Sequence, residues 1–297
     1  MYDLQKEYDQ FGPWLVEIKS AQDIPPQFED QSGLLDDALF AFKTPVHQER
    51  RNLKPGMLLY SQIVIIQNEF IIHLSMKGEK IHANKMWFKD VLLLTHGGDL
   101  LDNYIGLQSN QGEMIIRYNL VSQDIASRAI QVLRHHIATR EKAPFTAETA
   151  NDALKNSDLY SYFSGTEHCI DPIVILAGQK EMKLTEKKRS GLLDLQYSFT
   201  EYHLLDSMVM CDGVDLIIAN RGKSIIDVKD ANYKFGHTFI RLNAIQDVRI
   251  EPNLNFPELN NVVFKIDLCE FTLAVDKHFT LTPISTVLDS IQQVEDA

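Results

Sequence analysis

The sequence predicts an α+β protein, mainly β, because it contains the same order of elements twice. Residues 57–137 (the first copy) and 203–291 (the second copy) each have several β-like runs, a turn, a final β-like run and a closing amphipathic helix. Such a repeat indicates a duplicated small domain. A single offset of 157 residues aligns the ends of the two copies, and the aligned positions keep their apolar character in alternation. The aligned pairs are Asp90 with Asp247, Ile105 with Val262, Leu107 with Phe264, Met114 with Phe271, and Ile116 with Leu273.

The first copy begins with a predicted hairpin. Residues 57–66 are rich in β-branched and large apolar residues, Gln67-Asn68 interrupts them, and 70–74 resume the pattern. A short strand near Ile81 and a longer one over 87–94 follow, and the latter ends at the turn 96–98. Two last strands, over 104–107 and 114–118, complete the predicted sheet.

The helix that closes the first copy has clear signals at its start and along one face. Ser122 is placed to cap it, and Asp124 suits the positive end of its dipole. Apolar residues then recur every four positions, which predicts a face buried against a strongly bent antiparallel sheet. This stripe consists of Ile125, Ala129, Leu133 and Ile137.

The second copy repeats the plan with one addition. Strands are predicted over 204–210, 214–219 and 224–228, then an inserted loop over 231–237, then strands over 239–250, 262–266 and 271–275. Thr282-Pro283 opens the closing helix with a cap residue and a proline in its first turn. Its predicted buried face consists of Ile284, Val287, Leu288 and Ile291.

Short motifs in the first copy resemble bacterial pleckstrin-homology-like (PH-like) domains. An aromatic strand with an Asp-hydrophobic step, Trp87-Phe-Lys-Asp90-Val91, precedes two strands, a Tyr118-Asn119 step and the helix. The resemblance implies two tandem PH-like domains, each a bent antiparallel sheet or partly open barrel of about seven strands closed by a C-terminal amphipathic helix. We expect a segment 1–38 packing on the first domain, the first domain over 39–145, a connecting helix or linker over 146–165, and the second domain over 166–297.

Composition limits the classes of partner. The net charge of −12 and the pI near 5.3 oppose binding to nucleic acid and disfavour, without excluding, a membrane surface. The sequence shows neither an apolar run of spanning length nor a basic-then-apolar leader, so we expect a cytoplasmic protein. Cys169, Cys211 and Cys269 have neither metal-ligand nor disulfide spacing.

Sequence motifs give no sign of an enzyme. Phosphate-binding glycine loops and a nucleophile elbow are absent, and no cofactor is expected. His135 and His136 are adjacent on the predicted helix and point about 100° apart, so they cannot share one metal ion. Acidic residues near 99–113 are interpreted as a solvated surface.

For some PH-like relatives the resemblance implies phosphate binding by Lys and Arg in the loop that joins the first two strands. The corresponding loops here are taken as 67–69 and 211–213, which are neutral to acidic, so phosphoinositide binding is disfavoured. Two basic clusters lie elsewhere. The first comprises Arg50, Arg51 and Lys54, and the second comprises Lys180, Lys183, Lys187, Lys188 and Arg189. Their simplest interpretation is a solvated edge that discourages aggregation.

Two functions from different classes fit this sequence. The first is a non-enzymatic interaction or scaffold protein that offers a sheet edge, or the groove between strand and helix, to a protein partner or to a second copy of itself. Its predicted surface is Arg50, Arg51 and Lys54, with Tyr233, Phe235 and His237 of the inserted loop as a second candidate. The alternative is a peripheral membrane or anionic-ligand binding protein that uses the basic clusters and weakens steeply with salt. An enzyme is a distant third.

Overall fold

The computed structural model describes residues 3–12, 14–46, 52–99, 102–137, 152–165, 173–184, 202–222, 224–227, 234–267 and 269–295. The protein is α+β and mainly β, as predicted, and its sheets are antiparallel. Within these ranges none of the sheets closes into a barrel. The chain forms two compact units: an N-terminal unit, Met1–Val91 with Asp99–Ile137, and a C-terminal unit, Leu92–Gly98 with Ala138–Ala297.

The N-terminal unit contains a five-stranded sheet in which neighbours in sequence are neighbours in space. Its strands are β1 (Val16–Glu17), β2 (Phe40–Pro45), β3 (Tyr60–Ile66), β4 (Phe70–Lys77) and β5 (Lys80–Trp87). The next strand, β6 (Val91–Gly98), enters the C-terminal unit, and the chain returns with the hairpin β7 (Asn103–Ser109) and β8 (Gly112–Tyr118). The helices are α1 (Leu4–Gln10), α2 (Gln123–Ile137) and the 3₁₀ segments Ala21–Asp23, Pro26–Leu35, Phe88–Asp90 and Leu120–Ser122.

The two faces of this sheet are covered differently. Side chains from the segment before β2, Ile18, Ile24 and Phe28, form one apolar cluster with Ile63 and Leu74 of the sheet. Helix α2 contacts β2 and β3. Of its predicted stripe, Ala129, Leu133 and Ile137 are buried and Ile125 is half-buried. Ala126, Ile130 and Arg134 are buried as well.

The start of α2 differs from the expectation for Ser122. The side chain of Asn119 accepts the Val121 N–H at 3.1 Å and caps the 3₁₀ turn before the helix. The Ser122 hydroxyl instead accepts the backbone N–H of Leu15 at 2.6 Å. This serine therefore ties the N-terminal segment to the unit.

The C-terminal unit contains three antiparallel sheets, with spatial orders β6-β15-β13-β12-β9, β10-β11-β14 and β16-β17-β18. Its own strands are β9 (Val174–Gln179), β10 (Met182–Leu184), β11 (Tyr202–Leu204), β12 (Ser207–Cys211), β13 (Asp215–Asn220), β14 (Ile225–Asp227), β15 (Phe235–Arg241), β16 (Ile245–Pro252), β17 (Leu259–Ile266) and β18 (Cys269–Asp276). The helices are α3 (Asp158–Gly165), α4 (Thr282–Glu295) and the 3₁₀ segments Asp152–Asn156 and Leu242–Ala244.

Helix α4 packs as its sequence predicted. Ile284, Val287 and Leu288 are buried in the main apolar cluster of the C-terminal unit. The same cluster holds residues from the strands, among them Val262 and Leu273. Burial of large aliphatic side chains of this kind is the main source of stability for such a unit.

The repeat is visible in the strand pairing. Ile105 pairs with Ile116, and the residues 157 positions later, Val262 and Leu273, pair in the same way. The next pairs along the two hairpins, Leu107 with Met114 and Phe264 with Phe271, keep the same offset. Each unit also contains a four-stranded meander in chain order, β2-β3-β4-β5 in one and β9-β12-β13-β15 in the other. The first meander begins at Phe40, earlier than the predicted start at residue 57.

One predicted loop is a strand. Residues 235–237, expected within an inserted loop, begin β15, which pairs with β13 on one side and β6 on the other. Residues 231–233 of the predicted loop lie outside the described residues. In the part of the chain that the structure describes, no helix is long and apolar enough to cross a membrane.

Candidate functional site: the open edge of strand β5

Strand β5, Lys80–Trp87, lies at one end of the five-stranded sheet. It pairs with β4 along its full eight residues without a register shift. Among the described residues, β4 is its only strand neighbour. An edge strand of this length carries backbone donors and acceptors that another extended chain can bind.

The hairpin geometry shows which backbone groups face outward. Lys77 and Lys80 flank the two-residue turn, where Gly78 adopts φ +66°, and in such hairpins the flanking pair is hydrogen-bonded. Every second pair along the ladder is then bonded as well, in agreement with the Phe88 N–H, which donates to the Glu69 carbonyl at 2.8 Å. The N–H and C=O groups of the intervening residues therefore point away from β4. These residues are Ile81, Ala83, Lys85 and Trp87.

The side chains of β5 are mostly exposed and carry only basic charge. Lysine occupies two positions and histidine one, with no carboxylate on the strand. Ile81 is half-buried and Met86 is buried. The exposed side chains are Lys80, His82, Ala83, Asn84, Lys85 and Trp87.

An aromatic and cationic cluster lies at the end of this edge. The Lys85 Nζ lies 3.4 Å from the ring centroid of Phe70 and 4.0 Å from that of Trp87. The two rings meet edge to face, with centroids 5.0 Å apart. Cation–π contacts at exposed sites contribute on the order of 0.5–1 kcal/mol each. They hold the Trp87 ring, 38% exposed, in a defined position beside the open edge.

A polar pair lies on β3 and β4. His73 Nε2 and Gln62 Oε1 are 2.7 Å apart, and His73 pairs across the ladder with Asn84 of β5. Burial lowers the pKa of His73, so this imidazole stays neutral near pH 7. His73 therefore adds no positive charge beside β5, whose own lysines are Lys80 and Lys85.

The structure places the first predicted interaction surface only in part. Arg50 and Arg51 lie outside the described residues. Lys54 is exposed and begins a turn in which its carbonyl accepts the Met57 N–H at 3.2 Å. Leu53, buried beside it, anchors this segment in an apolar cluster with Phe11.

Burial argues against the second predicted surface. Phe235 is 8% exposed and His237 is 1% exposed, so neither side chain is available to a partner in this fold. Tyr233 lies outside the described residues. Because β15 is a central strand between β13 and β6, its backbone groups are also occupied on both sides.

The second basic cluster lies on a connection between strands. Lys180 is exposed in the short connection between β9 and β10, and Lys183 is exposed in the middle of β10. Lys187, Lys188 and Arg189 lie outside the described residues.

The topology corrects which loops join the first two strands of each meander. Residues 67–69 join β3 to β4, and 212–214 join β12 to β13. The first two strands are instead joined by residues 46–59 in the first meander and 180–206 in the second. Both basic clusters of the sequence lie on these two connections, at equivalent positions of the repeat.

The C-terminal unit also buries a pair of histidines. His96 of β6 and His237 of β15 are direct cross-strand partners, with ring centroids 6.0 Å apart. Phe163 of α3 meets the His237 ring edge to face at 4.9 Å, and Phe235 meets the His96 ring at 5.2 Å. Burial lowers the pKa of His96 to about 3. All four side chains are buried, so this cluster is part of the core.

A buried ion pair stabilises the N-terminal helix. Lys43 Nζ lies 3.0 Å from the Glu7 carboxylate, with both side chains less than one-tenth exposed. The same ammonium group lies 4.5 Å from the ring centroid of Tyr60. Desolvation raises the pKa of Glu7, although Lys43 acts in the opposite direction. The ion pair thus joins α1 to strand β2 of the sheet.

Among the residues that the structure describes, no group of three or more His, Cys, Asp or Glu side chains could hold a metal ion. No protein-family model and no curated protein matches this chain. Sequence reasoning placed only a short strand near Ile81 and missed the β5 edge as a candidate. The available signal was the stretch from Lys80 to Trp87, directly after Gly78-Glu79, which contains two lysines and no carboxylate and ends in an aromatic residue.

Proposed function

We propose that this protein is a non-enzymatic interaction protein that binds a protein partner by strand addition at the β5 edge. The observation that supports this most directly is the regular eight-residue edge strand, with four residues whose backbone groups face outward. Strand addition needs no catalytic residue, and it draws its affinity from main-chain hydrogen bonds.

The proposal includes a fold assignment: each repeat is a PH-like domain. The support is the shared order of a four-stranded meander, further antiparallel strands and a C-terminal amphipathic helix, found once before Ile137 and again before Glu295. In this assignment the N-terminal segment and α2 cover the sheet of the first domain, and no strand of the described residues pairs with the outer edge of its fourth strand, β5.

A second candidate function is binding to an anionic ligand such as a phospholipid headgroup. The observation in its favour is that Arg50, Arg51 and Lys54 lie on the connection between the first two strands of one meander, and Lys180 and Lys183 on the equivalent connection of the other. Such binding depends on charge and should weaken steeply as salt rises.

One experiment on the full chain distinguishes the two candidate functions. Purified protein would be used to capture partners from a cytoplasmic extract and, in parallel, would be incubated with vesicles containing anionic phospholipid. Each arm would be repeated at about 0.5 M sodium chloride, where exposed charges are largely screened. The variants are Arg50→Glu with Arg51→Glu, and Ala83→Pro with Ala83→Val as its matched control.

A specific protein that stays bound at high salt, survives the arginine changes and is lost in Ala83→Pro supports the interaction function. Vesicle binding that disappears both at high salt and in the arginine variant, without salt-resistant protein capture, contradicts it and supports the second candidate.

A further inference from the structure

We infer that the ligand of the β5 edge is an extended acidic segment of another protein, in which carboxylates alternate with apolar side chains. This rests on the proposed function and adds to it the chemistry of the partner. The added chain would bond to the outward backbone groups of Ile81, Ala83, Lys85 and Trp87.

Charge is the first reason for an acidic partner. Strand β5 carries Lys80, His82 and Lys85 and no carboxylate, within a protein of net charge −12. It is therefore a local basic strip on an acidic molecule. Opposite charges on directly neighbouring strands contribute about 0.2–1 kcal/mol per pair, whereas like charges oppose pairing.

The same charges argue against a second copy of this chain as the occupant. If two β5 edges met antiparallel about Asn84, the outward residues would face each other, with Ala83 of each copy beside Lys85 of the other and Ile81 beside Trp87. The lysines would gain no carboxylate partner, because β5 carries none. Lysine on an edge strand opposes this kind of self-pairing. The occupant is therefore a different chain of opposite charge.

The side chains of β5 alternate between the two faces of the sheet, and a ligand strand paired with β5 must alternate in the same way. Ile81, Ala83, Lys85 and Trp87 share one face of the sheet with Phe70 and Ile72 of β4. The Lys85 ammonium on this face lies against the rings of Phe70 and Trp87. Lys80 and His82 do not share a face with these residues, since Lys80 and His82 lie on the opposite side of the pleat. A ligand strand beside β5 thus meets a mainly apolar face, on which Lys85 packs against aromatic rings, with one set of side chains, and Lys80 and His82 with the other set.

Fluorescence anisotropy with two labelled peptides tests this directly. The acidic probe is a soluble peptide of about eight residues, the length of β5, that alternates glutamate and valine, and the control probe has lysine at each glutamate position. The Ala83 N–H faces outward, so Ala83→Pro removes a donor for the ligand without removing a bond to β4. Ala83→Val is the matched control because it keeps the donor.

We expect the acidic peptide to bind the wild-type protein at least about tenfold more tightly than the lysine peptide, a difference of about 1.4 kcal/mol. Ala83→Pro should weaken binding of the acidic peptide about tenfold, and Ala83→Val should change it by less than about twofold. Hydrogen exchange should slow at Ile81, Ala83, Lys85 and Trp87 when the peptide is bound.

A second variant covers the case in which Ala83→Pro does not fold. Lys80→Glu leaves the backbone unchanged and should shift the preference toward the lysine peptide. The inference is overturned if neither peptide binds, if both bind equally, or if binding to the acidic peptide is lost at high salt and unaffected by Ala83→Pro.

Failure here is distinguishable from failure of the proposed function. A partner that is captured by the full protein, lost in Ala83→Pro and kept in Ala83→Val, while the acidic peptide does not bind, would retain strand addition and overturn the acidic ligand. Binding of the peptide that Ala83→Pro leaves intact would overturn both.

Discussion

The buried imidazole of His96 should make the C-terminal unit sensitive to acid. Burial lowers its pKa to about 3 from an ordinary value of 6.5, so the folded unit holds it neutral where the unfolded chain is already protonated. The unfolded state therefore binds more protons, and the free energy of unfolding falls as the pH falls from 6.5 toward about 3. Near pH 5 this one residue should cost roughly 2 kcal/mol relative to pH 7.

The change that isolates this effect is His96→Leu, which places a side chain that cannot titrate between Phe235 and His237. Unfolding by urea would be followed near pH 7 and near pH 5 through hydrogen exchange of the β15 amides, which report on the C-terminal unit. Carboxylates and the other histidines contribute to the pH dependence of both proteins, so they cancel when the free energies of unfolding of the wild type and the variant are compared. Between pH 7 and pH 5 the difference between these two free energies should shift by roughly 2 kcal/mol in favour of the variant.

His82→Leu is the control, because His82 is exposed on β5 in the other unit and should leave this difference unchanged. The reasoning is refuted if the wild-type and His96→Leu proteins lose the same stability, within about 0.5 kcal/mol, between the two pH values.

Three further outcomes are expected. Glu7→Ala should lower the stability of the N-terminal unit by about 2–4 kcal/mol, because it leaves Lys43 buried without its carboxylate, and Glu7→Ala with Lys43→Met should recover most of the loss in thermal unfolding. Phe163→Ala should cost the C-terminal unit about 3–5 kcal/mol in urea unfolding, because the ring is fully buried against His237; a loss below about 1 kcal/mol would contradict this packing. A fragment of residues 138–297 should be less stable and more prone to aggregate than the same fragment with residues 92–98 supplied on a linker; equal thermal midpoints and equal solubility would show that β6 adds nothing.

The ends of both copies could be predicted well from the sequence. Strong period-two alternation specified the hairpins around Ile105 and Val262, and the offset of 157 residues matches their pairing. The buried face of α4 was also correct at Ile284, Val287 and Leu288. In these segments local pattern and tertiary environment agree, because one face of each element packs against the core.

Elements that depend on distant partners were the ones missed. Strand β15 begins Phe-Gly-His, which is a weak strand signal, and its pairing with β6 is not visible in the local sequence. Ser122 looked like a helix cap because the Leu15 amide that uses its hydroxyl lies far back in the chain. Strand β5 has exposed side chains on both faces of the sheet, which weakens the alternation on which sequence prediction relies.

The membership of β6 in the C-terminal unit has a consequence for synthesis of the chain. Its partner β15 follows about 140 residues later, so at roughly 5–20 residues per second a ribosome needs on the order of 10–30 s to supply it. Throughout that interval Leu93 and Leu94 lack their β15 partners, Ile240 and Phe239, beside which they are buried in the finished protein. The slow step of folding should therefore be this long-range pairing, and the nascent chain should need chaperone protection until β15 has emerged.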